Sequence, residues 1–362
     1  MRVLVVNAGS SSLKLRVLDG EDQLLGDQEL EAPGGRFDEQ AVVRALESLP
    51  GADAVGHRVV HGGERFSGPV RLTPEVVTYL RSLVDLAPLH EPAALAAVEV
   101  VGRALPDTPA VACFDTAFHA HMPAAASTYA IPREWRERHG LRRYGFHGLS
   151  HAYAARRAAE LLGRPQPSLR TVTCHLGAGA SLAAVQGDRS MDTTMGFTPL
   201  EGLVMATRSG TVDPGLILWL QRQAGLAAEE VSDALEHRSG LAALAGTGDM
   251  RRVLAAAATG DAAARLAIDV YVHRLRAGIA SMAAALGGLD ALVFTGGVGE
   301  NAAEVREATA AGLGFLGIAL DGRRARLAPD AEIGASAAAV RTLVVRARED
   351  LEIASSVRAL LT

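Results

Sequence analysis

The sequence predicts an α/β protein made of two related halves, and three observations support this. Apolar strand-like runs alternate with amphipathic helical stretches along its 362 residues. A strand–turn–strand opens the chain at Val3, and another begins at Thr171. The two turns resemble each other. Asn7-Ala8-Gly9-Ser10-Ser11-Ser12-Leu13 matches His175-Leu176-Gly177-Ala178-Gly179-Ala180-Ser181-Leu182, with Ser12-Leu13 set against Ser181-Leu182 and one extra residue in the second turn. That spacing gives halves of about 170 residues.

In the first half, residues 3–6 are all apolar, as in a strand buried on both faces. Leu13, Leu15 and Val17 alternate with Lys14 and Arg16, which is strand periodicity. The turn between them carries Asn7, Gly9 and three serines, and such hydroxyls and free N–H groups suit an anion. Lys14 is the only lysine in the chain, and a compact ammonium there suits a phosphate; a solvated strand residue is the plainer reading. Residues 21–37 form a polar connection with a short strand near 28–30. A helix follows over 38–49, then a strand over 54–63 ending in glycines. Helices are expected over 73–86 and 92–105, with a strand over 110–114. Arg58, His61, Asp115 and His119 stand just past strand ends, where open α/β sheets place their ligands. A surface arginine at 58 and a helix cap at 115 are the plainer alternatives. Residues 129–139 read as irregular or partly helical, and a helix runs over 150–162 with His147 and His151 at its start.

In the second half, residues 191–202 and 208–214 read as loops carrying Asp192, Glu201, Arg208 and Asp213. Helices follow over 214–224, 227–237, 250–258 and 261–286. A strand from Leu292 runs into a Gly-rich turn at 296–301, and a helix continues through Ala310. This turn is neither a Walker A loop nor a dinucleotide fingerprint. A strand over 342–346 and a helix over 350–361 close the chain.

Composition narrows the class. The chain is 49% apolar and 21% charged, as a globular protein is. A net charge of -5 gives no electrostatic case for nucleic acid. Cys113 and Cys174 lie in apolar runs and read as buried thiols, and no zinc-type ligand spacing is complete. The chain opens in a strand without a basic-then-apolar leader, and no apolar run is long enough to span a membrane. A cytoplasmic enzyme is the expectation.

Together these blocks resemble the acetate kinase family, which includes propionate and butyrate kinases. The likeness covers the whole chain: residues 7–14, His57-Arg58-Val59-Val60-His61-Gly62-Gly63, Pro88-Leu89-His90, residues 114–119, Tyr144-Gly145-Phe146-His147-Gly148, residues 191–202, Thr207-Arg208-Ser209-Gly210 and residues 294–301. The resemblance implies duplicated ribonuclease-H-like domains of the actin and sugar-kinase ATPase type, with a central interdomain cleft. The domains would be 1–149 and 150–345, with a closing helix at 346–362 packing back on the first. Arg58 and Arg208 would hold the carboxylate and the transferring phosphoryl group, and His147 would stabilise that group. Asp115 and Glu349, with Asn7, would position Mg²⁺ (or Mn²⁺) or its waters. Asn7, Ser10, Ser12 and Lys14 would line the phosphate side with His175, Gly177 and Gly179, and His90 would lie near the substrate. Asp249, Met250, Arg251, Gly296, Gly297, Gly299, Glu300 and Asn301 would contact ATP or ADP. Val60, Leu89, Phe146 and Pro199 would form the acyl pocket. A homodimer is the family expectation.

The chemistry agrees with that resemblance. A carboxylate is already ionised at neutral pH, so it needs charge cancellation and alignment rather than a general base. Two arginines, a histidine and Mg²⁺ supply that. The chain departs from the family at Ala178, where an asparagine is usual, at Met250, where phenylalanine is common, and in a shortened segment before Arg58. A propionate or butyrate kinase is the nearest alternative, since one methylene gives only about 1–3 kcal/mol of discrimination. A nucleotide-binding homologue with reduced activity is another, and Ala178 is its support. A hydroxyl acceptor would call for a carboxylate base instead of paired arginines.

Overall fold

The computed structural model describes residues 1–9, 12–87 and 90–362. Ser10 and Leu89, both given roles above, lie outside the described residues. The chain divides into two units. One comprises Met1–His121, Phe146–Tyr153 and Arg348–Thr362; the other comprises Met122–Gly145 and Ala154–Ala347.

The first unit begins with the antiparallel pair β1 (Val3–Ala8) and β2 (Ser12–Leu18). Strand β3 (Leu24–Glu31) pairs along the whole of β2, well beyond the short strand expected at 28–30. It escaped the pattern because most of its side chains face solvent. Helix α1 (Glu39–Ser48) starts at Asp38, whose carboxylate caps the Gln40 N–H at 2.9 Å. Strand β4 (Ala54–Val59) lies parallel to β1, and the two-residue β5 (Val70–Arg71) is an edge too short to leave a sequence signal. Helix α2 (Pro74–Arg81) starts at Thr73 and stops earlier than expected, giving way to a 3-10 turn at Val84–Leu86. Helix α3 (Glu91–Ala104) and strand β6 (Ala110–Phe114) follow.

The strand order is β3-β2-β1-β4-β6-β5. Both faces of β1 are covered, which is why its sequence is apolar throughout. Leu4 and Val6 pack with Val42 of α1 and Ala97, Val100 and Val101 of α3. Val3 and Val5 pack on the other face with Ile353, Ala354 and Val357 of the C-terminal helix.

The second unit holds α4 (Ala124–Ser127), α5 (Arg133–His139) and most of α6 (Gly148–Leu162), then β7 (Arg170–Leu176), β8 (Ala180–Gln186) and β9 (Arg189–Thr193). Next come α7 (Pro214–Arg222), α8 (Ala228–His237), α9 (Gly240–Ala245), α10 (Met250–Ala258) and α11 (Ala262–Ala285). Strand β10 (Ala291–Thr295), α12 (Gly296–Asn301), α13 (Ala303–Ala311), β11 (Ala331–Glu332) and β12 (Arg341–Val344) complete it; the C-terminal helix is α14 (Glu349–Leu361).

Four expectations are corrected here. Residues 191–193 are strand, held by the β8 ladder, not loop. The Gly-rich 296–301 segment is the helix α12 rather than a turn, because the Glu300 carboxylate bonds the Gly296 N–H at 3.1 Å and steadies the first turn. Residues 122–145 group with the second unit, since Tyr144 and Gly145 donate to the Gly196 carbonyl and Arg143 bonds Glu201. Finally, the second hairpin is shorter than the first, not longer. Gly9 faces Ser12 across the first turn, whereas Gly177 faces Gly179 across the second. Ser181, opposite His175, therefore takes the ladder place that Lys14 takes opposite Asn7.

The second sheet runs β9-β8-β7-β10-β12-β11. Its succession of antiparallel and parallel pairings is that of β3-β2-β1-β4-β6-β5 strand for strand. Helix α11 lies on β7 and β8, and its Gly278 comes against Leu182 of β8.

Candidate active site

Three adjacent parallel strands end together in the first unit, and each delivers one polar side chain. Asn7 is near the end of β1, Arg58 near the end of β4, and Asp115 directly after β6. Arg58 grips Asp115 with two parallel bonds, Nε to Oδ1 at 3.1 Å and Nη2 to Oδ2 at 2.6 Å. Its Nη1 donates to the Asn7 Oδ1 at 3.2 Å, and the Asn7 Nδ2 donates to the Glu349 Oε2 at 3.0 Å. Glu349, at the start of α14, also lies 3.7 Å from the Arg58 Nε.

Asp115 is 1% exposed, and the Arg58 and Glu349 side chains are 15% and 14% exposed. Burial opposes the charge on Arg58, but Asp115 and Glu349 more than offset it and hold the guanidinium protonated. Burial pushes the Asp115 carboxyl up, Arg58 pulls it down, and Glu349 adds repulsion. Two carboxylates thus share one guanidinium, and the excess negative charge suits a cation. Both oxygens of Asp115 already accept from Arg58. That fits Mg²⁺, which keeps several waters and takes only one or two carboxylates with substrate phosphates. Among the described residues no group of three or more His, Cys, Asp and Glu forms a closed metal cage.

His147 is fixed by its backbone to the same network. Its N–H bonds the Asp115 carboxylate, and the Gly148 N–H donates to the Asp115 carbonyl at 2.9 Å. A Cβ at position 148 would overlap that carbonyl. His147 itself takes a φ of +56°, rare for a side-chain-bearing residue. The His119 Nε2 donates to the Phe146 carbonyl at 3.1 Å, so the turn is held on both sides. Burial pushes His119 down to about 4. Phe146 and Val60 are buried, and the His61 ring, next to Val60, meets Phe146 edge-on with centroids 5.7 Å apart. His90 precedes α3.

Other predicted residues have local partners. The Lys14 Nζ lies 3.4 Å from the Glu29 Oε1, and Ser12 also bonds Glu29. Lys14 nonetheless faces Asn7 across the ladder. In the second unit, the Arg208 Nη1 donates to the Pro199 carbonyl at 3.4 Å, and burial lowers its pKa against the pull of Glu236. His175 is the last residue but one of β7, and the Gly177 N–H donates to the Gly179 carbonyl at 2.9 Å. The Ala178 carbonyl accepts from the Ala206 N–H at 3.1 Å. Glu300 ties the Gly296 and Ala347 N–H groups, and Asn301 bonds the Gly297 carbonyl. Gly299 is buried within α12, and its carbonyl accepts from Arg306. Asp249 caps α10 and pairs with the exposed Arg251, while Met250 is buried.

Sequence reasoning missed Glu91. It is fully buried, its Oε2 accepts from the His61 N–H at 3.2 Å, and its Oε1 has no hydrogen-bond partner among the described residues. It falls in the stretch between the helices expected over 73–86 and 92–105, and nothing in the sequence marks it as buried.

A model of the Acetokinase family matches residues 35–355. The chain is 47% identical to an acetate kinase from Gloeobacter violaceus, over 98% of this chain and 98% of that protein. It is similar to the crystal structure of Porphyromonas gingivalis acetate kinase, with a TM-score of 0.90, 37% identity and 100% of each chain covered. It is also similar to a propionate kinase from Francisella tularensis, with a TM-score of 0.89, 35% identity and 98% of each chain covered.

Proposed function

Because the chain belongs to the acetokinase family, we propose that it transfers the γ-phosphoryl group of ATP reversibly and directly to acetate, giving acetyl phosphate and ADP. The observation that carries this reading is the Asp115–Arg58–Asn7–Glu349 network at three converging strand ends. It holds a permanently charged guanidinium in one orientation, with the Asp115 and Glu349 carboxylates engaged by Arg58 and Asn7. An anionic acceptor needs that arrangement, because its attack on a phosphoryl group is limited by repulsion and alignment.

In this reading Arg58 and Arg208 bind the carboxylate and the phosphoryl oxygens, and both stay charged throughout. His147 donates to the phosphoryl group as its charge spreads. Asp115 orients Arg58 and, through its backbone and carboxylate, His147. Asn7, Asp115 and Glu349 would hold Mg²⁺ with its waters, and the ion would supply charge neutralisation at the phosphate oxygens. Asn7, Ser12, Lys14, His175, Gly177 and Gly179 serve the phosphates, and residues 249–251 and 296–301 take the nucleotide. Val60, Phe146, Pro199 and His90 are assigned to the acid, the first three to its acyl methyl. The matching strand orders support duplication of a ribonuclease-H-like unit. Leu216, Leu218 and Trp219 on α7 are 45%, 48% and 57% exposed, which supports a homodimer that covers them. No helix among the described residues is long and apolar enough to cross a membrane. An enzyme that draws on ATP belongs in the cytoplasm.

A propionate kinase is the second reading, favoured by the likeness to the Francisella protein. Acyl phosphate formation from acetate, propionate and butyrate, trapped with hydroxylamine, separates the two. Preference for acetate is expected. Preference for a longer acid would move the assignment, and no turnover on any acid would overturn it. Ala178→Asn, which restores a donor at the phosphates, is expected to raise turnover.

A further inference from the structure

We propose that Tyr129, acting with Arg143 and Glu201, is a positioning residue that fixes Pro199 and thereby sets the acid preference of the enzyme. The inference rests on the reading of Pro199 as a wall of the acyl pocket. The cluster is built from two stretches of the second unit. Tyr129 and Arg143 lie between α4 and α6, and Glu201 lies in the loop after β9.

The Tyr129 hydroxyl donates to the Glu201 Oε2 at 2.7 Å and accepts from the Phe197 N–H at 2.9 Å. Arg143 donates from Nη2 to the Glu201 Oε1 at 2.8 Å. Its Nη1 reaches the carbonyls of Thr194 at 3.2 Å and Met195 at 3.0 Å. The Tyr144 and Gly145 N–H groups take the Gly196 carbonyl at 3.0 and 3.3 Å. Four consecutive residues, Thr194 to Phe197, are therefore pinned by their backbone, and Pro199 follows two residues later. The Arg143 guanidinium also lies over the Tyr129 ring, 5.5 Å from its centre. A Cβ at Gly196 would overlap both the Glu201 carboxylate and the Tyr129 oxygen, so the loop fits the cluster only as glycine.

The bonds converge on one loop. The Pro199 carbonyl in turn accepts from Arg208, so the same loop links the pocket wall to the charged group. Burial and the bond to Glu201 raise the Tyr129 hydroxyl well above its ordinary range, so it remains a donor at any working pH.

Tyr129→Phe removes one oxygen and leaves the Phe197 N–H without its acceptor. The acetate KM is expected to rise roughly tenfold, as a loosened substrate wall allows. The acetate-to-propionate ratio of kcat/KM should fall at least about threefold, while the KM for ATP holds. Glu201→Gln keeps an acceptor for Tyr129 but weakens the hold of Arg143, and should shift the ratio the same way by less. Wild-type acetate KM and acid ratio in both variants would overturn the inference while leaving the pocket reading intact. Acetate and ATP KM values rising together with a lowered midpoint would assign the cluster to stability alone. A wild-type enzyme inactive on every acid would remove the pocket reading and this inference with it.

Discussion

Glu91→Gln should make the protein's stability less sensitive to alkaline pH. Burial pushes the Glu91 carboxyl up to about 8, against an ordinary value of 4.5; the His61 and Val60 N–H groups oppose the rise and the Asp115 charge adds to it. Between those values the folded state keeps a proton that the unfolded chain has released. Stability therefore falls as pH rises through that window, and over its width the loss from this one group is on the order of 5 kcal/mol. Glutamine keeps an oxygen for the two N–H groups and cannot ionise. Unfolding free energies from urea titrations of both proteins should lie closest near about pH 5 and separate toward about pH 8, with the variant the more stable. Other titrating groups are shared, so the difference between the two curves isolates position 91. A constant gap across the range would refute the claim that this carboxyl is held protonated.

Arg208→Ala should lower kcat by at least about a hundredfold with little change in the KM for ATP, since its guanidinium meets charge that develops in transfer; unchanged turnover would remove its assigned role. Gly148→Ala forces a methyl against the Asp115 carbonyl. It should cost about 1–3 kcal/mol by denaturant titration and lower activity by displacing His147. Lys14→Arg should leave stability within about 1 kcal/mol, because the pair with Glu29 is exposed. Its turnover should fall modestly, and full activity would confine Lys14 to the sheet surface.

Much of the scaffold was legible because its signals are local. The apolar run at Val3 to Val6 marked its strand directly, and the helix starts expected at 38 and 73 fall one residue before α1 and α2. Strands β5 and β11 were not legible, being two residues long and defined only by their partners. The turn comparison set Ser12-Leu13 against Ser181-Leu182, whereas the ladder puts Ser181 in the place of Lys14, because Gly177 faces Gly179 across a turn one residue shorter. In the site, Arg58 and Asp115 were found as polar tips on strand ends, while the network they join depends on distant contacts, Arg58 with Asn7 across 51 residues and Asn7 with Glu349 across 342. Glu91, Tyr129 and Arg143 were missed for a common reason. Each acts through the backbone of a distant segment, and side-chain identity alone carries no mark of that.

The central claim is that the acceptor carboxylate takes the phosphoryl group directly from ATP, aligned by the Arg58 network without a covalent enzyme intermediate. The stereochemical course with ATP made chiral by oxygen isotopes at the γ-phosphorus tests it most directly. A single in-line displacement predicts inversion in the acetyl phosphate product. Retention would mean two displacements through a phosphorylated residue of the enzyme, and would contradict the account.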